Sequence, residues 1–356
     1  MSATADSSDV VEYATIAPRA STSTLVDIDR AGSRLVAVGE RGHVLYSDDE
    51  GTHWHQGKMP FTRMLTGVSF VDDKFGWAVG HQSMVFHTTD GGETWIRQLD
   101  GTKFQQQANQ ENLVSTEAAY EALSAELEAN PDPDRDLELE DALFAFEDAQ
   151  ILVEEPTIPT NLHDVWFMDS DNGWAVGAFG RLVETRDGGK TWENKAHLVL
   201  TPEGFHLNGV TGSSRGEVFL AGEGGILFRS LDKGESWEQL ESGYPDTFFG
   251  IVYDETNQVI TAYGIGSALF QSQDLGDTWT SIESPIEATF AGATVTSDGR
   301  TALAGPAGVI LLIDSADGAI QARTQANRMN HSTLLHLESD NFIAVGLGGA
   351  RLINLN

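Results

Sequence analysis

HTTDGGETW, residues 87–95, sets two glycines beside an aspartate and closes on a tryptophan. A glycine pair can expose backbone amides to a phosphate, but a phosphate loop continues into a lysine and a helix, and this stretch continues into Trp95. Recurrence decides its reading. SDDEGTHW ends at Trp54, TTDGGETW at Trp95, TRDGGKTW at Trp192, SLDKGESW at Trp237 and SQDLGDTW at Trp279. These tryptophans are 41, 97, 45 and 42 residues apart, so one interval holds a repeat plus roughly 55 inserted residues.

Upstream of each box lies a second shared pattern, as in LVAVGERGHVLY from Leu35, GWAVGHQSMVFH from Gly76 and GWAVGAFGRLVE from Gly173. Each reads as two short apolar strands about a glycine turn. A third strand precedes them, as in LTGVSFVD from Leu65 and LHDVWFMD from Leu162, and a fourth starts at the tryptophan. Four strands per period make a propeller blade. Two further copies, from Phe290 and Leu334, keep the strands and lack the box, which brings the count to seven. The expected fold is therefore all-β: a seven-bladed β-propeller of four-stranded antiparallel blades over residues 11–356, behind a disordered tail, 1–10. The last copy has no outer strand of its own, so VEYATIAPRA, residues 11–20, is expected to supply it and close the ring. In this fold the boxes are turn-formers. Asp49, Asp90, Asp187, Asp232 and Asp274 hydrogen-bond within the turn, and Trp54, Trp95, Trp192, Trp237 and Trp279 pack between blades.

The boxes resemble the Asp-box, or BNR, repeat, and the pairing of GWAVG with TTDGGETW is similar to the family of the photosystem II stability and assembly factor Ycf48. The resemblance covers the chain outside residues 104–158. It implies a non-enzymatic accessory or assembly protein, exported to the periplasmic or lumenal side, that binds a membrane protein complex, with an RND-type transporter as one candidate partner. The sequence departs from photosynthetic members in its acidic insertion and in showing no arginine cluster on one blade.

Residues 105–156 hold 15 Asp and Glu against the single Arg135. Leu113, Tyr120, Leu123 and Leu127 fall at helical spacing, as do Leu139, Leu143 and Phe146, and NPDP from Asn130 interrupts them. The insertion, 104–158, is thus an acidic helical hairpin between blades two and three, on the face opposite the box turns. DPDRD from Asp132 lacks the glycine and closing glutamate of a calcium loop. No metal or cofactor site follows.

The formal charge of -33 excludes the phosphate backbone of nucleic acid as a partner, and no apolar run reaches the ~20 residues of a membrane-spanning helix. The chain has no cysteine, hence no thiol chemistry. The polar start resembles sequence that follows a cleaved leader, so an exported protein is expected. A sialidase needs three converging arginines, and Arg41, Arg181 and Arg351 do not align between blades. A neutral-glycan hydrolase needs two opposed carboxylates, for which Glu40, Glu223, Asp27 and Asp164 are available. A glycoside hydrolase or carbohydrate-binding propeller is therefore the alternative. The preferred reading has no catalytic residues and a partner surface formed by Glu40, Arg41, His81, Phe179, Arg181 and Glu223 on the face opposite the boxes, with Tyr120, Leu123, Leu143 and Phe146 on the hairpin. At the inner-strand position shared by the blades, the series runs Asp27, Gly67, Asp164, Gly209, Gly250, Gly292 and His336, so Asp27, Asp164 and His336 are expected to face the channel.

Overall fold

The computed structural model describes residues 11–201, 204–315, 318–326 and 328–355; the expected disordered tail, 1–10, lies outside them. Seven antiparallel sheets follow one another along the chain. The first is Leu25–Ala31, Arg34–Gly39, Val44–Ser47 and His55–Gln56, and the second runs from Leu65–Phe70 to Ile96–Leu99. The inner strands contact their neighbours in order, and His331–His336 of the last blade returns to Leu25–Ala31 of the first. The molecule is a seven-bladed propeller.

Apolar contact between blades holds the ring. Seven clusters of buried residues each draw on two adjacent blades. The GWAVG strands show why: Trp77 of the second blade is buried and stacks on Phe167 of the third with ring centroids 3.6 Å apart. Each box tryptophan packs back on the preceding blade, as Trp95 does with Val36 and Val38. Aromatic faces of this size bring the largest apolar areas a side chain can bury.

Closure differs from expectation. Six sheets have four strands, but the last has three, His331–His336, Asn341–Gly346 and Gly349–Asn354. Residues 11–19 are not its fourth strand. Gln56 of the first blade takes hold of this segment, donating to the Thr15 carbonyl (3.0 Å) and accepting from the Ala17 amide (2.9 Å), and the Ala14 amide bonds the Met59 carbonyl. Pro18 offers no amide to a ladder. The segment then turns through Ala20–Thr22 against Gly349 and enters the first inner strand. The seam is made by packing and by Arg30, whose guanidinium donates to the His336 carbonyl at 2.8 Å.

The insertion is two antiparallel helices, α1 (Gly101–Ala129) and α2 (Asp136–Glu154), the only α-helices among the described residues. The first starts three residues earlier than expected because Asp100 caps it, accepting from Thr102 and Lys103 amides. Asp136 and Glu138 sit in the first turn of α2, where the macrodipole favours negative charge.

Candidate functional site

In every box the same seven-residue circuit closes, as from Ser47 to His53. The hydroxyl of Ser47, Thr88, Thr185, Ser230 or Ser272 accepts the glycine amide four residues on, at 2.8–3.0 Å, and donates to the box aspartate. Asp49, Asp90, Asp187, Asp232 and Asp274 each accept the amide four residues later. The His53 amide and ring hold Asp49 down to about 2, and the Thr278 hydroxyl and amide do the same for Asp274. Indoles of Trp54, Trp95 and Trp279 donate to the box glycine carbonyl at 3.0 Å, whereas Trp192 and Trp237 keep buried ring nitrogens without a partner among the described residues. All these carboxylates are engaged within their own turns.

The opposite face is built from the turns between the two middle strands. Six of them share one backbone: a residue in the left-handed region at Arg41, Gln82, Phe179, Gly224, Gly266 or Ala307, with φ from 53° to 65°. Glycine adopts this without penalty, yet four turns carry a side chain there. Arg41 is exposed, and Phe179 is 66% exposed with its ring edge on His206. His81, beside Gln82, is half-buried, and burial lowers its pKa.

Between these turns a cavity of about 620 Å³ enters the ring, lined by Asp27, His163, Asp164, Asn208, Tyr263 and Phe249 among others. Its walls follow from a bulge between the first and third residues of six inner strands, which re-aims the third residue. At that position stand Asp27, Gly67, Asp164, Gly209, Gly250 and Thr333, with Gly292 in the remaining blade. A Cβ on Gly250 would lie 2.2 Å from the Tyr263 hydroxyl, so this glycine lets the tyrosine reach the channel. His336 is not a channel residue. The bulge fixes the register, and Thr333, three residues earlier, is the equivalent of Asp27; His336 is buried between the last two blades, its Nδ1 accepting the Ser297 amide and its ring against Phe342.

The channel acids are spoken for. Asp27 accepts the Val68 amide at 2.8 Å and Asp164 the Val210 amide at 2.9 Å, each from the next blade round the ring. Burial, with repulsion from Asp164, holds Asp27 well above the usual carboxylate range; burial pushes Asp164, and Asp29 below it, up to about 6. Glu40 accepts the Thr24 amide and Glu223 the His206 amide. The four carboxylates available to a glycan hydrolase are thus bonded to backbone. His163 is likewise engaged, at 3.1 Å from the Leu207 carbonyl, and burial lowers its pKa. Among the described residues no three His, Asp or Glu gather as metal ligands.

The hairpin is rooted on this same face. Gly101 packs so closely on the Gln82 turn that a Cβ would meet its carbonyl at 1.9 Å, and Ser83 donates to the Thr160 carbonyl where the chain returns. Arg181 is half-buried here, bonded to Gln105 of α1, and burial lowers its pKa; it anchors the arm. Tyr120, Leu123, Leu143 and Phe146 are half-buried, with Tyr120 and Phe146 stacked at 6.1 Å across the two helices. They make the hairpin's own seam, and its outward apolar side chains are others: Val114, Leu137, Phe144 and Ile151. The chain also brings Arg63 and Arg97 of the second blade to one flank cavity of about 440 Å³, with Tyr13 and Phe61, a pairing that sequence separation hid.

The family model described as photosynthesis system II assembly factor YCF48 matches residues 46–117 and 149–302. The photosystem II assembly lipoprotein Ycf48 of Synechococcus sp. (strain CC9902) is 23% identical over 63% of this chain and 77% of its own length. A structure of YCF48 bound to a D1 peptide superposes with a TM-score of 0.64 at 16% identity over 94% of each chain, and YCF48 from Cyanidioschyzon merolae with 0.61 at 17% identity, over 96% of this chain and 97% of its own.

Proposed function

The chain belongs to the family of the photosynthesis system II assembly factor YCF48, and from that premise we propose that it is a non-enzymatic assembly factor whose rim opposite the box turns holds a segment of a membrane protein. One observation carries this reading: the box carboxylates are engaged in their own turns, whereas the other end of the ring, where the channel opens, carries exposed Arg41 and Phe179 at its turn tips. A relative solved with a D1 peptide and relatives named for photosystem II assembly support a membrane-protein client. They support a photosystem subunit and give none to an RND-type transporter. The hairpin, rooted beside this rim, is a second docking element.

The protein works on the exported side of the membrane, attached through its client. The relative named a lipoprotein supports association with a membrane and is silent on attachment through a client; separately, no helix of the described residues is long and apolar enough to cross a bilayer. Photocrosslinkers at Arg41, Gln82 and Phe179, and for comparison at Ser236 and Thr278 in the boxes, test the reading in native cells. Adducts with a membrane protein are expected from the first set only. Adducts confined to the box positions would overturn it, and release of sugar from a glycan panel would restore the hydrolase alternative.

A further inference from the structure

The second helix of the arm repeats one pattern three times: Leu137-x-x-Glu140-Asp141, Phe144-x-x-Glu147-Asp148, Ile151-x-x-Glu154. Residues seven apart lie on one face of a helix. The seam with α1 occupies Leu139, Ala142, Leu143, Phe146 and Ala149, which places Leu137, Phe144 and Ile151 on the face turned away from it. They are 73%, 54% and 51% exposed. On that same face Glu140, Glu147 and Glu154 run along one side of the apolar line and Asp141 and Asp148 along the other. None of these five has a salt-bridge partner among the described residues. An outer helix face serving only solubility carries polar residues where this one carries leucine, phenylalanine and isoleucine.

We propose that this face docks a basic amphipathic helix of another protein, its apolar stripe on Leu137, Phe144 and Ile151 and its lysines or arginines on the two acidic rails. The line spans 14 residues, about 21 Å, which matches roughly four turns of a partner helix. Charge decides the occupant. A second copy would bring acidic rails against acidic rails, and an anionic bilayer meets the same repulsion. Among the described residues the two helices of the arm are the only α-helices, so no described segment of this chain can occupy the face as a further helix. The family match stops at residue 117 and resumes at 149, so most of this surface lies outside what the family shares. The inference names the partner chemistry of the arm within the function proposed above, and its test uses the purified chain with no client present.

The probe is a labelled synthetic helix of about 18 residues with leucines seven apart flanked by lysines, followed by fluorescence anisotropy against the full chain. A control peptide keeps the leucines and replaces lysine by glutamate. The basic peptide is expected to bind, to weaken at least tenfold between about 0.05 M and about 0.5 M salt, and to bind the Leu137→Ser, Phe144→Ser, Ile151→Ser variant at least tenfold more weakly. Circular dichroism checks that this variant keeps its helices. Should it lose them, Glu140→Lys with Glu147→Lys serves instead and is expected to shift preference toward the acidic peptide. Equal binding of both peptides, indifference to both variants, self-association through this face, or capture by phosphatidylcholine vesicles in place of the peptide would each overturn the proposal. None would touch the assignment of the rim.

Discussion

The ring and the arm use the same residue types to opposite ends. In the ring, Trp77 and Phe86 are almost wholly buried between blades, and the channel and box aspartates are bonded to backbone amides. In the arm, only Gly101, Asn109 and Ala149 are buried, the seam residues are half-covered, and the acids stand in solvent. A single helix–helix seam buries one stripe of each helix, whereas a blade is covered on both faces. Stability is therefore a property of the ring, and the arm is free to serve recognition.

This contrast is sharpest at Trp77. Trp77→Ala should cost about 3–5 kcal/mol in chemical denaturation, while Tyr120→Ala on the arm should change only the helical signal at 222 nm; equal losses would break the comparison. Next come the two sets of carboxylates. Asp164 is raised to about 6, so its contribution is complete below the unfolded value of ~4 and lost as pH rises through about 6. Asp274 is held at about 2, so its contribution is complete above ~4 and lost as pH falls toward about 2. Between about pH 4 and about pH 7, the wild type should lose on the order of 1–3 kcal/mol more than Asp164→Asn. Asp274→Asn should leave that interval alone and flatten the acid limb. Thr88→Ala, which deletes a buried hydroxyl serving Gly92 and Asp90, should cost about 1–2 kcal/mol. The smallest effect is expected from replacing residues 102–158 with a short glycine-serine linker: a melting temperature within ~2 °C of the parent. A large fall there would show that the arm braces the ring.

Much of this was legible in the sequence because a repeat states its local geometry several times. Five boxes together with two copies that keep only the strands gave the blade number, and of the glycines and aspartates at one inner-strand position Asp27, Asp164, Gly250 and Gly292 line the cavity. The series failed at His336, since the bulge that sets register leaves no residue signature and Thr333 looks like any strand threonine. The closing segment failed because its fate hangs on Gln56, a contact between residues some forty positions apart that no periodicity reports. On the arm, helical spacing located the apolar residues but not their sides: Tyr120, Leu123, Leu143 and Phe146 face the seam, and the outward line is told apart only once the partner helix is placed.

The six turns with one shared left-handed residue have a consequence for how such a protein changes over time. Because the frame imposes that twist whether the tip bears arginine, glutamine, phenylalanine, alanine or nothing at all, an exchange at a tip alters what the rim offers while the scaffold beneath goes on as before. What the rim presents can drift one socket at a time.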